Sequence, residues 1–419
     1  MLRQREHGNF IAEFLFIPRV IGATQLFQAE PALHKRGKIV LLHFAGQMPL
    51  AGIAWQAAHY LLALQKLGWE AWYVEDSGTP PYDPRAESVV MSCDYNLAYL
   101  KRVMERFGFG ERFVYRCGVD NAYYGLDRKA VKRLYGEAAA LINLCGAHHL
   151  YERHLHCPVR ILIDTDPGYQ QINYAKGDPA ERAYIDAHTH FFTYGENIGR
   201  PECPIPLSGL AWRPTRPPVD VDWWPEPAGE PESFTSIASW DNHGKDIEYD
   251  GSSYLWSKHV NFLKFLDIPR QRPHASFRMA ILPPNDEVRR EVEGGGWQLT
   301  DPRPISAGID TYRNFIAGSR GEFTVAKDIY VRTRSGWFSD RAVCYLASGR
   351  PVVTMETGLD RLYPAGEGLL RFAAHDGALA AIDAIAGDYR RHSRAARDLA
   401  REYFDGQRVV GALLAEVGL

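Results

Sequence analysis

The chain has 419 residues, 48 Lys and Arg against 51 Asp and Glu, a formal net charge of -3 and 46% hydrophobic residues. That is enough chain for two or three domains with sizeable cores, and the balance lacks the global basic footprint of a nucleic-acid-binding protein. The six cysteines, Cys93, Cys117, Cys145, Cys157, Cys203 and Cys344, contain no Cys-x-x-Cys pair, so neither a disulfide framework nor a zinc ribbon is expected, and a reduced, cytoplasmic setting is.

Residues 1–36 read as an N-terminal extension. Basic residues precede an apolar run, but Glu13, Pro18 and Arg19 interrupt it and no small-residue cleavage site follows. We therefore expect neither a signal peptide nor a membrane span, but a segment packed on the first domain. That domain spans 37–213. Lys38–Phe44 is an apolar run of the kind found in buried parallel strands. The loop Ala45–Gly52 follows, then a helix over 54–67 closed by Gly68, then a strand over 70–74. This is the start of a doubly wound sheet, whose ligands bind at the carboxyl ends of the strands; Gly46, Gln47 and Gly52 are accordingly ligand-binding candidates, and His43 stands at the strand end. Without G-x-G-x-x-G a nicotinamide reading is weak.

Helical patterns are expected over 95–107 and 128–140, and strands over 140–145, 159–163 and 190–194. The strand Val159–Ile163 ends in Asp164-Thr165-Asp166-Pro167-Gly168. Asp166 there is either a proton acceptor or the carboxylate of an Asx turn. The pairs His148 and His149, His154 and His156, and His188 and His190 could ligate a metal, but none has a carboxylate or cysteine at metal spacing, and no metal site is assigned.

Residues 214–231 form a proline-rich linker, a stiff segment suited to joining domains. A second α/β domain covers 232–404, with strands over 234–239 and 277–282, a helix over 253–267 and a short helix over 312–319. Helices follow over 378–386, 389–404 and 407–417, and residues 405–419 are expected to return to the first domain. In the stretch 319–370, Ile329-Tyr330 reads as apolar strand residues before a polar turn. Gly336-Trp337-Phe338 makes a tight approach, Ser339 is an N-cap, and Asp340 opens the helix 340–347. Gly349 ends that helix, and Pro351–Thr354 enters a buried strand. A loop feeding a helix N-terminus is an anion site, and Lys327, Arg334 and Arg341 are cations near it.

The run S-x-W-F-S-D-R-x-x-x-Y-L-A-S-G-R-P-V-V from Ser335 to Val353, followed by Gly366-Glu367-Gly368-Leu369-Leu370, resembles the donor half of GT-B glycosyltransferases over roughly fifty residues. The resemblance implies two Rossmann-like domains facing across a cleft. A nucleotide diphosphate sugar, UDP-linked for instance, would be co-substrate, with no further cofactor and no bound metal. Lys327, Arg334, Ser335, Gly336, Trp337, Ser339, Asp340, Arg341 and Glu356 would hold the donor, and Gly46, Gln47 and Gly52 would stand on the acceptor side. Many retaining members carry two glutamates around this helix; here their places fall on Gly336 and Cys344, so inversion and retention both stay open. Asp166 and His43 are the catalytic candidates, His43 being equally a core histidine. The acceptor is a small molecule, a glycan or a modified nucleic-acid base, the last disfavoured by the near-neutral charge. Two alternatives share the fold, a nucleotide-sugar 2-epimerase and a non-catalytic nucleotide- or sugar-binding protein.

Overall fold

A computed structural model describes residues 36–226, 229–242 and 244–419; the N-terminal extension up to residue 35 lies outside the described residues. The first half is built on β1 (Lys38–Leu42), β2 (Glu70–Glu75), β3 (Phe113–Arg116), β4 (Tyr123–Tyr124), β5 (Ala138–Leu144), β6 (Arg160–Asp164), β7 (His190–Thr193) and β8 (Trp212–Pro214). Their order is β8-β7-β6-β5-β1-β2-β3-β4, parallel throughout except for the last pair. The second half has β9 (Ser233–Ile237), β10 (Ser276–Ala280), β11 (Gln298–Thr300), β12 (Gly321–Thr324), β13 (Val352–Met355) and β14 (Leu369–Phe372), in the order β11-β10-β9-β12-β13-β14, all parallel. No strand belongs to both sheets. Strand order reverses between β1 and β5 in one sheet and between β9 and β12 in the other, and a doubly wound sheet opens its ligand crevice at such points.

Central strands carry continuous apolar runs because helices cover both faces; β1, KIVLL, is buried at every position after Lys38. Three helices position the site: α1 (Ala51–Lys66), α2 (Asp340–Ala347) and α3 (Gly406–Glu416). α1 buries Ala54, Trp55, Ala58, Leu61 and Leu62. α3, near the chain end, lies on α1. Gly406 sits so close that an added Cβ would come within 3.1 Å of Ala63 Cβ, and Val219 bridges Asp405 beside it. One apolar core accordingly runs from the first sheet through α1 to Phe338, Val343, Leu346 and Phe404 of the second half.

Three expectations are corrected. Residues 253–267 are not one helix: Ser252–Tyr254 pairs with Ile247–Tyr249 in a hairpin, followed only by short turns of helix. The turn is Asp250-Gly251, both at positive φ, and Asp-Gly is the sequence best suited to a tight hairpin. Ile329 and Tyr330 lie in a short helix, Asp328–Arg332, rather than in a strand. Cys93 and Cys117 form a disulfide, their Cα atoms 6.0 Å apart. They are 24 residues apart in sequence, and the fold joins the start of helix Asp94–Arg106 to the turn after β3. The histidine-rich stretch around residue 150 serves a buried charge. Asp76 receives Arg153 Nε at 2.6 Å and lies 3.0 Å from His154 Nε2, while its own N–H donates to His148 Nε2 at 3.0 Å.

Candidate functional site

The two halves meet differently on two sides. On one side polar groups bridge them directly. Asp166, two residues past β6, accepts Lys327 Nζ at 2.7 Å and the Tyr330 hydroxyl. The partial desolvation of its half-exposed carboxyl would raise the pKa, but the Lys327 ammonium and the two hydrogen bonds outweigh that and hold it low. Trp337 Nε1 donates to the Thr165 carbonyl at 2.9 Å, and its ring packs on Tyr330. Asn197 donates its amide to the carbonyls of Arg334 and Gly358, and its backbone N–H to Ser335 O. Asp164 receives Gln171 and Thr193 and caps Asp166 N at 3.1 Å, which makes the Asp164–Gly168 loop an Asx turn.

On the other side the halves stand apart around a cleft of about 1030 Å³, the size of a small-molecule site. Gly52, Gln56, Tyr82 and Tyr95 line it from the first half, and Trp240, Leu282, Tyr312, Asp340 and Arg341 from the second. α2 starts here. Ser339 occupies the N-cap position with extended backbone, but its hydroxyl makes no capping bond, so the expected side-chain cap is absent and the positive end of the helix faces the cleft. Arg341 is fixed underneath, its Nε 2.5 Å from Glu322 Oε1 and its Nη2 3.1 Å from Thr324 Oγ1. Asp340 has its carboxyl pKa raised, chiefly by burial.

Lys258 joins this group from the segment after the Asp250-Gly251 hairpin. It is 9% exposed, its Nζ lies 5.5 Å from the Trp337 ring, and among the described residues it has no hydrogen bond or ion pair. Burial first, then the Arg341 and Lys327 charges, push its pKa down to about 7. A mostly buried lysine beside two other cations is disfavoured as an ammonium, and an anion would relieve that. Nothing in the periodicity around residue 258 marks it, because its neighbours are set by a hairpin that the sequence reading took for helix.

The remaining site candidates divide. Gly52 faces the cleft, with space for a Cβ only 3.4 Å from Tyr312 Oη. Gly46 and Gln47 do not offer free N–H groups: both donate to the buried carboxylate of Glu75, whose pKa burial raises to about 7. His43 is fully buried, neutral with a pKa near 4 because of that burial, and bonded to Gln56. Arg334 is not joined to the other cations; its side chain is exposed and pairs with Asp360 at 3.0 Å. Ser335 accepts Trp337 N within its own turn. Glu356 accepts the N–H groups of Gly358 and Leu359 and pairs with Arg371 at 3.2 Å, so it shapes the loop after β13. Gly336 has φ 76°, and a Cβ there would meet Leu362 at 2.9 Å and Asn197 at 3.0 Å. Any side chain at Gly336 would be strained, and Cys344 is buried, so neither position offers a carboxylate to the cleft. Lys258, Gln56, Tyr312 and Glu322 are the site residues missed by sequence reasoning. Among the described residues no three His, Cys, Asp or Glu side chains are grouped to hold a metal, and no helix is long and apolar enough to cross a membrane.

No family model and no curated protein sequence matches the chain. Solved structures do. An alpha-glucosyltransferase in complex with UDP and a 13-mer DNA containing a HMU base superimposes with a TM-score of 0.54 at 11% identity, over 91% of this chain and 100% of that one. An alpha-glucosyltransferase in complex with UDP and a 13-mer DNA containing a central A:G mismatch gives 0.54 at 10% identity, over 91% and 100%. A glycosyltransferase from Rickettsia africae gives 0.51 at 9% identity, over 92% and 98%. The chain thus has the GT-B fold of these glycosyltransferases, two facing α/β halves with a cleft between them.

Proposed function

We propose that the protein is a glycosyltransferase that moves a sugar from a nucleoside diphosphate sugar to an acceptor bound in the cleft. The observation that carries this reading is the uncapped start of α2 in the cleft wall, with Arg341 fixed beneath it and Lys258 nearby, its ammonium in no ion pair among the described residues. A departing diphosphate carries its charge there, and positioned cations and a helix N-terminus lower the barrier by stabilising it. The base of the donor would lie against Leu282 and Pro284, loop residues of the second half that line the same cleft. The first half would hold the acceptor. Its wall combines Tyr82, Tyr95 and Ile53 with side chains already paired, Arg85 on Asp83 and Glu87 on Arg303. That lining offers no open row of cations for a polynucleotide backbone, and it favours a small or glycan acceptor. Phosphate neutralisation by Lys258 and Arg341 needs no metal in this scheme. Asp166 serves as base only if its pair with Lys327 opens.

Calorimetry with UDP, GDP and dTDP tests the donor site. One of the three should bind, and Arg341→Met should abolish that binding. Absence of binding by all three removes the proposal. Sugar isomerisation without any added acceptor would turn it to the 2-epimerase reading.

A further inference from the structure

Gln56 lies on α1 and lines the cleft beside Asp340 and Tyr312. Its Oε1 faces inward and takes two donors of the first half, His43 Nε2 at 3.0 Å and Cys145 Sγ at 3.0 Å. Cys145 in turn accepts the Thr165 hydroxyl at 3.1 Å. Burial keeps the Cys145 thiol protonated and leaves His43 neutral at neutral pH. Neutral His43 has a single N–H. Its Nδ1 is buried with no hydrogen-bond partner, and an orphaned buried N–H is costlier than an orphaned lone pair. The hydrogen is therefore placed on Nε2, where it and the Cys145 thiol both point at Gln56 and the carboxamide oxygen receives them. That fixes which end of the amide points where: the oxygen faces the core and the NH2 faces the cleft. Among the described residues Nε2 has no hydrogen-bond partner. The support beneath it is specific. Cys145 stands at the end of β5 with φ 59°, a conformation that a non-glycine residue adopts only when its surroundings hold it, and it is this bend that brings the thiol under Gln56.

A neutral NH2 on this wall suits an uncharged hydroxyl oxygen, whereas the charged phosphates belong to the cations across the cleft. We propose that Gln56 Nε2 donates to a hydroxyl of the sugar carried by the nucleoside diphosphate, and that His43 and Cys145 are positioning residues that aim it. The inference rests on the donor-site reading above and adds the sugar contact. It also gives His43 a place in the chemistry that does not require it to touch a substrate.

The test compares the nucleoside diphosphate that binds best with its glucose conjugate, by calorimetry, on the wild type, Gln56→Glu and Gln56→Met. Glutamate keeps an oxygen for His43 and Cys145 and removes the N–H donors; methionine keeps the volume. Thermal midpoints identify a variant that fails to fold, and the other then decides. The wild type should bind the conjugate and the free diphosphate with different affinities. Gln56→Met should keep the free diphosphate within about twofold and lose roughly three- to tenfold on the conjugate, the range for one neutral hydrogen bond. Gln56→Glu, whose charge also repels the diphosphate, should lose more on the conjugate than on the free diphosphate by a similar factor. His43→Leu should show the same selective loss, in smaller measure. Equal losses on both ligands mean a merely structural role and overturn the proposal, as does an unchanged conjugate affinity. A wild type that binds no diphosphate overturns the donor site and this inference together; a wild type that binds, with variants that do not discriminate, overturns this inference alone.

Discussion

The loop after β1 and the start of α2 face the same cleft from opposite halves, and each presents backbone N–H groups near it. In the first half those of Gly46 and Gln47 are consumed by Glu75, a carboxylate of the protein itself, buried and further bonded to Tyr73. In the second half the Ser339 hydroxyl makes no cap, and three cations, Arg341, Lys258 and Lys327, gather near it, Arg341 paired with Glu322, Lys327 with Asp166, and Asp340 opening the helix beside them. One fold, used twice, therefore gives one closed anion site and one open one. This difference is what the proposed reading uses to assign the diphosphate to the second half: in the first, the Glu75 carboxyl already takes the loop N–H groups.

Arg341→Met strikes the open site hardest. It leaves Glu322, which is fully buried, without its cation, and breaking such a pair costs roughly 3–5 kcal/mol. Urea unfolding should show that loss, and diphosphate binding should vanish with it. Retained binding would mean that the phosphate lies elsewhere. Glu75→Ala probes the closed site. Two backbone N–H groups and the Tyr73 hydroxyl lose their acceptor, for roughly 2–4 kcal/mol of stability. Diphosphate affinity should stay within a factor of about three, and a gain of tenfold would show that the vacated loop binds anions too.

Lys258→Met should weaken diphosphate binding by on the order of 1.5–3 kcal/mol, the worth of a charge-assisted contact, while leaving stability equal or higher, since the removed ammonium has no partner. The pH dependence follows from its pKa near 7, against 10.5 for the ordinary group. The unfolded chain holds this proton up to pH 10.5 and the folded chain releases it near 7. The stability tied to this group is therefore fully present above the ordinary value and is lost as pH falls through 7. Anion binding runs the opposite way, because the protonated form is needed, so affinity should drop as pH rises from 6 to 8. Lys327, Arg341, Glu322 and Asp166 face the same group, and Lys258→Met should flatten the curve; a slope that persists in the variant assigns it to another group. The smallest effect belongs to Asp166→Asn. The Asp166 side chain is 50% exposed, so solvent screens its pair with Lys327, and its loss should cost about 1 kcal/mol or less with little change in diphosphate binding. A fall in turnover by a factor on the order of 10²–10⁴ would restore it as the proton acceptor.

Regular elements were legible wherever local pattern and tertiary demand agreed. The apolar run of β1, the stripe of α1 and the bounds of α2 between Ser339 and Gly349 were all readable because burial on one face or both imposes its own spacing on the residues. The resemblance over Ser335–Val353 pointed to two facing α/β halves for the same reason, since its glycines and its Pro351-Val352-Val353 entry serve the backbone. The hairpin at Asp250-Gly251 was missed although its turn signal was present, because the apolar residues beyond it happened to fit a helical face.

What the sequence by itself determined is thus the α/β class with its parallel sheets, the elements around β1 and α1, and the stretch around α2 that opens the second half of the cleft. Which charges stay free was decided only by the tertiary structure. Asp166 and Lys327, 161 residues apart, become partners; Arg334 turns outward to Asp360; Glu75 fills the loop of Gly46 and Gln47. Lys258 alone of the buried cations is left without a hydrogen bond or ion pair among the described residues. A residue's type and spacing fix what it can bind, but whether it is already bound depends on groups that only the folded chain brings within a few ångströms, where hydrogen bonds and charge pairs act.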